Sequence, residues 1–143
     1  MWEKKSDDGS IHDLDNLYTW SSSRGSPADG TAFTVFLAAL NRPPCFAGHC
    51  DWRLPSDGEL YNIVAPPYPN CTSSPCVPSI FNTGCFPGCT VTNCSCTQSY
   101  TYWSSTTGQG GPTGAWFVHF YDGGVYGYGK GNSYYVRGVR SGS

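Results

Sequence analysis

The chain has 143 residues, 13% of them charged, and a formal net charge of -2. That length suits one domain, read here as residues 1–143, with a real core. The slight acidic balance excludes a nucleic-acid partner, and no apolar run approaches the roughly 20 residues that insert into and span a membrane.

Eighteen glycines and eleven prolines favour short strands and many turns over a helical bundle. The opening "MWEKKSDDGSIHDLDNLYTW" reads as two short strands flanking an acidic loop. Asp7, Asp8, Asp13 and Asp15, with Asn16, cluster oxygen ligands there. Calcium takes six to eight oxygens, so this loop is the one candidate cation site, although its spacing departs from an EF-hand. No other cofactor is expected.

"TAFTVFLAALN" reads as a helix, with Phe33, Phe36, Leu37 and Leu40 forming one buried stripe at i, i+3, i+4 and i+7. Asp29 or Thr31 can cap its start, and Arg42-Pro43-Pro44 ends it. In "CDWRLPSDGELYNIV", Ser56 and Glu59 match the S-x-x-E capping box of a second helix. Leu60, Ile63 and Val64 make its stripe, and Pro66-Pro67 stops it after about two turns. Trp52 and Arg53 precede the cap. A sugar platform is one reading, since Trp stacks on sugars and Arg binds sulfate. Scaffold is the other, and it is preferred because a capped helix needs a fixed approach. Trp52 is then expected in the core and Arg53 on Glu59.

Residues 66–99 are rich in Pro, Cys, Ser, Thr and Asn, and six of the eight cysteines lie there. A loop that long inside a domain needs a staple. Zinc chelation is the rival, but Cys94-Ser95-Cys96 is too tight for a usual site and His49 is the one His near any Cys. Disulfides place the protein outside the cell or on its surface. No signal peptide is visible, so the chain reads as a mature or excised domain. Local pairing is expected: Cys45–Cys50, Cys71–Cys76, and a nested ladder of Cys85–Cys96 around Cys89–Cys94.

From residue 100 the pattern turns to strands. "TYWSSTT" is one, and in "AWFVHFYD" Trp116, Val118 and Phe120 alternate with Phe117, His119 and Tyr121. The first set is expected to face the helices. Asp122-Gly123-Gly124 is a hairpin signal. The whole is an α+β chain, two helices followed by a sheet-rich half.

Residues 121–135, "YDGGVYGYGKGNSYY", hold five Tyr, five Gly, one Asn and one Ser. That mixture matches a paratope, in which Tyr supplies rigid contact area and Ser, Gly and Asn supply adaptable hydrogen bonds. The competing reading is an ordinary Tyr-rich sheet. The expected ligand-binding patch is Tyr121, Tyr126, Tyr128 and Tyr134, with Lys130, Asn132 and Ser133 at its rim.

Taken in order, "WEKK", "CDWRLPSDGEL", "YWSST", "AWFVHFYDGG" and "YYVRGVR" resemble the family of the C-terminal domain of the Legionella collagen-like adhesin. The resemblance implies a C-type lectin-like fold, two helices on a twisted antiparallel sheet with the chain ends paired. It implies an adhesin-type recognition domain of bacterial origin that binds a protein or glycan, sulfated in some members, and often a homo-oligomer. The Cys-rich segment 71–96 stands as an insertion against that pattern. The distant formylglycine-generating relatives use late cysteines. None follows Cys96, and His12, His49 and His119 are scattered, so no catalytic residue is assigned and an enzyme is not expected. Two further readings accompany the resemblance: a structural or oligomerising cap of a longer surface protein, and a target of a diversity-generating retroelement. Adenine mutagenesis of Asn codons yields Tyr, Asp, Ser and Gly, with Val125 and Lys130 as fixed positions. Eight Lys and Arg in all are too few for a strong sulfate site.

Overall fold

The computed structural model describes residues 1–23, 25–108 and 111–141. Among these residues five strands form two antiparallel sheets: β1 (Tyr18–Thr19) with β5 (Ser133–Tyr134), and β2 (Thr101–Thr107), β3 (Gly114–His119) and β4 (Gly124–Gly129) in the order β2-β3-β4. A parallel bridge between Tyr102 and Tyr135 joins the sheets. The chain ends meet through bridges from Trp2 and from Arg53 to Val139. No helix of the described residues is long and apolar enough to cross a membrane.

The first helix, α1, is a π-helical segment, Ala32–Leu37, that runs into an α-helical turn, Ala38–Leu40. Its wider turn changes which side chains line up. Ala32, Phe36 and Leu40, four apart, form the buried line. Phe33 and Leu37, expected in the stripe, are half-buried on its flank, where Phe33 packs edge-on to Trp20 at 5.0 Å. A Cβ on Gly30 would strike the Thr19 carbonyl, so a glycine is what lets β1 lie against the start of α1.

The second helix, α2, Asp57–Tyr61, is held by both halves of its capping box. The Glu59 amide donates to Ser56 Oγ at 3.1 Å, and the Ser56 amide donates to Glu59 Oε1 at 2.8 Å. Arg53 grips the same carboxylate with two bonds of 2.8 Å. The Trp52 ring is buried beside it, and its Nε1 donates to the Phe46 carbonyl at 3.0 Å.

Both faces of the three-stranded sheet carry core. On one, Trp103 and Ala115 pack with Tyr18, Trp20, Phe36 and Trp52. On the other, Tyr102, Val118 and Phe120 pack with Leu60 and Ile63 of the α2 region. Trp116 departs from the expected set: it is half-buried, beside Gly127, at a cavity of about 300 Å³. The α2 region packs on Val118 and Phe120 through Leu60 and Ile63, and Trp116 is not a member of that cluster.

Buried polar groups tie the ends together. Glu3 Oε1 accepts from Lys5 Nζ at 3.3 Å and meets His12 Nδ1 at 2.7 Å, while Glu3 Oε2 accepts from the Gly138 amide at 2.8 Å. Arg137 donates to the Glu3 and Cys96 carbonyls and to the hydroxyls of Ser95 and Thr97. A buried charge is tolerated only with partners of this kind.

All eight cysteines are joined, as Cys45–Cys50, Cys71–Cys76, Cys85–Cys96 and Cys89–Cys94. The stapled segment is part of the core: Cys89, Cys94 and Cys96 are buried against Leu14, and the Cys96 amide donates to the Lys5 carbonyl at 3.0 Å. The result is a disulfide-stabilised α+β fold.

Candidate recognition face

The hairpin from β3 to β4 turns at Gly123, whose φ is +81°. Asp122 closes it by accepting from the Gly124 amide at 2.8 Å. The register pairs Phe117 with Tyr126, Ala115 with Tyr128 and His119 with Gly124. Alternation therefore places Phe117, His119, Tyr126 and Tyr128 on one face. The Tyr126 ring lies over Gly124, in space that a Cβ there would need, and so beside His119. Gly124 is what makes room for that ring.

The rings form a band of two contact chains. His119 lies between Tyr100 and Tyr121, at 6.4 and 5.9 Å. Phe117 meets Tyr126 at 6.0 Å and stacks on Tyr134 at 5.2 Å, and Tyr134 packs on Trp103 at 4.6 Å. Tyr121, Tyr126 and Tyr128 are 60%, 42% and 65% exposed. The hydrogen bond from Tyr126 to Asp122, at 3.1 Å, raises the phenol pKa, as does the charge of that carboxylate. Burial raises that of Tyr134.

Several expected members sit differently. Phe117 and His119, expected outward, are half-buried: Tyr134 of β5 stacks on Phe117, and Tyr100 and Tyr121 flank His119. Tyr134 is half-buried between Phe117 and Trp103 and supports the band from beneath. Lys130, expected at the rim, is 1% exposed. Its Nζ donates to the carbonyls of Ser26 and Pro112 and to Thr107 Oγ1, and lies 3.9 Å from the Trp20 ring centroid. Burial lowers its pKa. Ser133 is exposed and Asn132 half-buried, its amide donating to the Gly129 carbonyl at 2.9 Å.

Two rings enter from outside the Tyr-rich segment, Tyr100 and Tyr68. Tyr68 is exposed, its backbone nitrogen lies 2.9 Å from where a Cβ on Gly123 would sit, and its charge bears on Tyr126. The signal for Tyr68 in the sequence was a lone Tyr between prolines, which local pattern alone does not connect to a strand some fifty residues on.

Of the four acidic positions, Asp7, Asp13 and Asp15 bring carboxylate oxygens within 4.8 Å of one another. Asp8 turns away and accepts from Ser6 Oγ and the Ser10 amide. Asp13 is already engaged by the amides of Gly9 and Asp15. A second cavity, about 410 Å³, lies at the seam between Trp2, Phe46, Trp52 and Val91, away from the Tyr-rich strands.

The sheet thus carries exposed rings at Tyr121, Tyr126 and Tyr128, in a chain held by four disulfides. The chain belongs to the Lcl C-terminal domain family, whose model matches residues 1–140. That family is associated with a surface adhesin. No curated protein and no solved structure matches the chain. The shared motif strings map onto framework: "WEKK" and "YYVRGVR" supply Glu3, Lys5 and Arg137, and "CDWRLPSDGEL" supplies the cap and its Arg53 clamp.

Proposed function

We propose that this is a non-enzymatic recognition domain, acting outside the cell or on its surface, that binds a protein or glycan through the aromatic band. The observation that carries this is the run of exposed rings at Tyr121, Tyr126 and Tyr128 on one hairpin of a disulfide-held scaffold. Exposed aromatic area of this extent marks contact surfaces. The two helices on an antiparallel sheet with paired chain ends support the C-type lectin-like reading.

Burial along part of the segment supports the retroelement reading. Val125 and Lys130 are anchored, whereas Tyr126, Tyr128 and Ser133 are open. A neighbouring reverse transcriptase with a near-identical template repeat is the expected gene context, and its absence removes this part of the proposal.

Binding in this reading needs no metal. Glycan and protein arrays probed with the wild type and with Tyr128→Ala test the reading: hits lost in the variant support it. Hits that survive move the binding surface away from the band, and no hits at all favour a structural or oligomerising cap. Loss of binding in a chelator would shift the site to Asp7, Asp13 and Asp15.

A further inference from the structure

The aromatic band carries the Asp122 carboxylate at its margin, while most of the described basic side chains are engaged or placed elsewhere. Lys130 is the one cation of residues 121–135, and it is sealed under Trp20. Lys5 and Arg137 are buried. Arg53 is clamped on Glu59, and Arg140 donates to Asp51 at 2.7 and 3.2 Å. Among the described residues this leaves Lys4 and Arg42 exposed, Lys4 at the Trp2 seam and Arg42 just beyond α1. The observed cation–π contacts fall on Phe36, Trp20 and Phe81, and not on a ring of the band.

The charges that do act on the band are negative. Asp122 holds the Tyr126 hydroxyl and raises its pKa. Burial first, then the charges of the exposed Asp15 and of Tyr100, raise the pKa of Tyr135, which packs on Tyr102 outside the band; Asp15 thus shares a neighbour with Tyr100, at that end of the band. Each carboxylate keeps acceptor capacity beyond its present bond, since an ionised carboxylate offers about four lone-pair sites. Among the described residues, an anionic ligand would meet these groups with no basic side chain engaged on the band to offset them. A guanidinium or ammonium would find open ring faces for cation–π contact and carboxylates for charge-assisted bonds.

We infer that the band takes a protein partner presenting Arg or Lys side chains, and rejects sulfated or otherwise anionic glycans. This rests on the recognition reading and adds the chemistry of the partner. Charge complementarity of this kind governs which partner is admitted and how fast it docks.

The test uses the whole chain on a sensor surface with three probes: a peptide of alternating Arg and Gly, the same peptide with Glu for Arg, and heparin. The Arg peptide is expected to bind and the other two are not. Raising salt from about 50 to about 500 mM should weaken the Arg peptide at least about tenfold. Asp122→Asn keeps an acceptor for the Gly124 amide, and Asp15→Asn alters an exposed position. Each should weaken binding several-fold with an unchanged melting temperature, and Tyr128→Ala should do so too. Heparin binding that Tyr128→Ala abolishes overturns the charge inference while upholding recognition by the band. So does Arg-peptide binding that survives both Asn variants but not Tyr128→Ala. Failure of the Arg peptide to bind also overturns the inference, and the array comparison with Tyr128→Ala then decides whether the band binds at all.

Discussion

Lys130 shows how far a single residue can stand from its local pattern. It lies in "GYGKGNS", a stretch that reads as an exposed turn, yet it reaches back about a hundred residues to the Ser26 carbonyl. Its other partners and the Trp20 ring complete a site built for an ammonium. Lys130→Met keeps the stem and removes the charge, leaving two carbonyls short of a donor. A loss of about 2–4 kcal/mol in a urea melt is expected, because buried acceptors without partners carry their full desolvation cost. Glu59 makes a second residue-scale case. Its bonds from Arg53, the Ser56 amide and the Arg53 charge outweigh partial burial and hold its pKa at about 2, against a usual 4.5. A depressed carboxylate contributes stability above its unfolded pKa and loses it as pH falls through the folded one. The wild-type melting temperature should therefore fall between about pH 4.5 and pH 2, and Glu59→Gln should flatten that part of the curve. The side chain is 37% exposed, so solvent screens the pair and the slope should be shallow. An identical slope in the variant would remove Glu59 from the account.

Among the elements, α2 was legible because a capping box is local: Ser56 and Glu59 are three apart and satisfy each other. Ser56→Ala should cost about 1 kcal/mol by denaturant melt, since a first-turn amide loses its acceptor. The strands were legible by alternation, and "TYWSSTT" matches β2 in both bounds. The α1 stripe was legible in Phe36 and Leu40, with Phe33 and Leu37 packed on the same core, but Ala32 was missed because the template assumes 3.6 residues per turn, whereas Ala32–Leu37 is π-helical. The β3–β4 hairpin depends on one backbone conformation. Gly123→Ala places a methyl at φ +81°, 2.9 Å from the Tyr68 nitrogen. It should destabilise by about 1–2 kcal/mol and disturb the Tyr126 end of the band. The staple at Cys71–Cys76 stands behind the same turn, because the Cys76 amide donates to the Phe120 carbonyl at 2.8 Å. Replacing both cysteines by Ser should cost about 2 kcal/mol, the chain entropy of a short closed loop.

For the molecule as a whole, framework and display surface respond to different changes. Tyr128 is well exposed and contributes little core, so Tyr128→Ala should shift folding stability by under about 0.5 kcal/mol and cost about 1–3 kcal/mol of ligand affinity, as an aromatic anchor does. Tyr134 is the contrast: stacked between Phe117 and Trp103, its loss should lower stability and binding together. A collapse of the Tyr128→Ala melt would show that the band is core. The amino-acid sequence by itself determined the α+β class, the capped helix with its Arg53–Glu59 clamp, the local pairing of the cysteines and the Tyr-rich segment. All of these rest on neighbours close in the chain or on a period of two. Which of those tyrosines stand open, and where Lys130, Trp116 and Tyr68 go, was decided by tertiary structure alone. Those outcomes depend on which side chains arrive from elsewhere in the chain: Tyr134 of β5 stacks on Phe117 at the base of the band, Leu60 and Ile63 cover Val118 and Phe120 and not Trp116, and Ser26 and Trp20 take Lys130. Burial is set by contacts between residues far apart in sequence, and no local pattern encodes which of them meet.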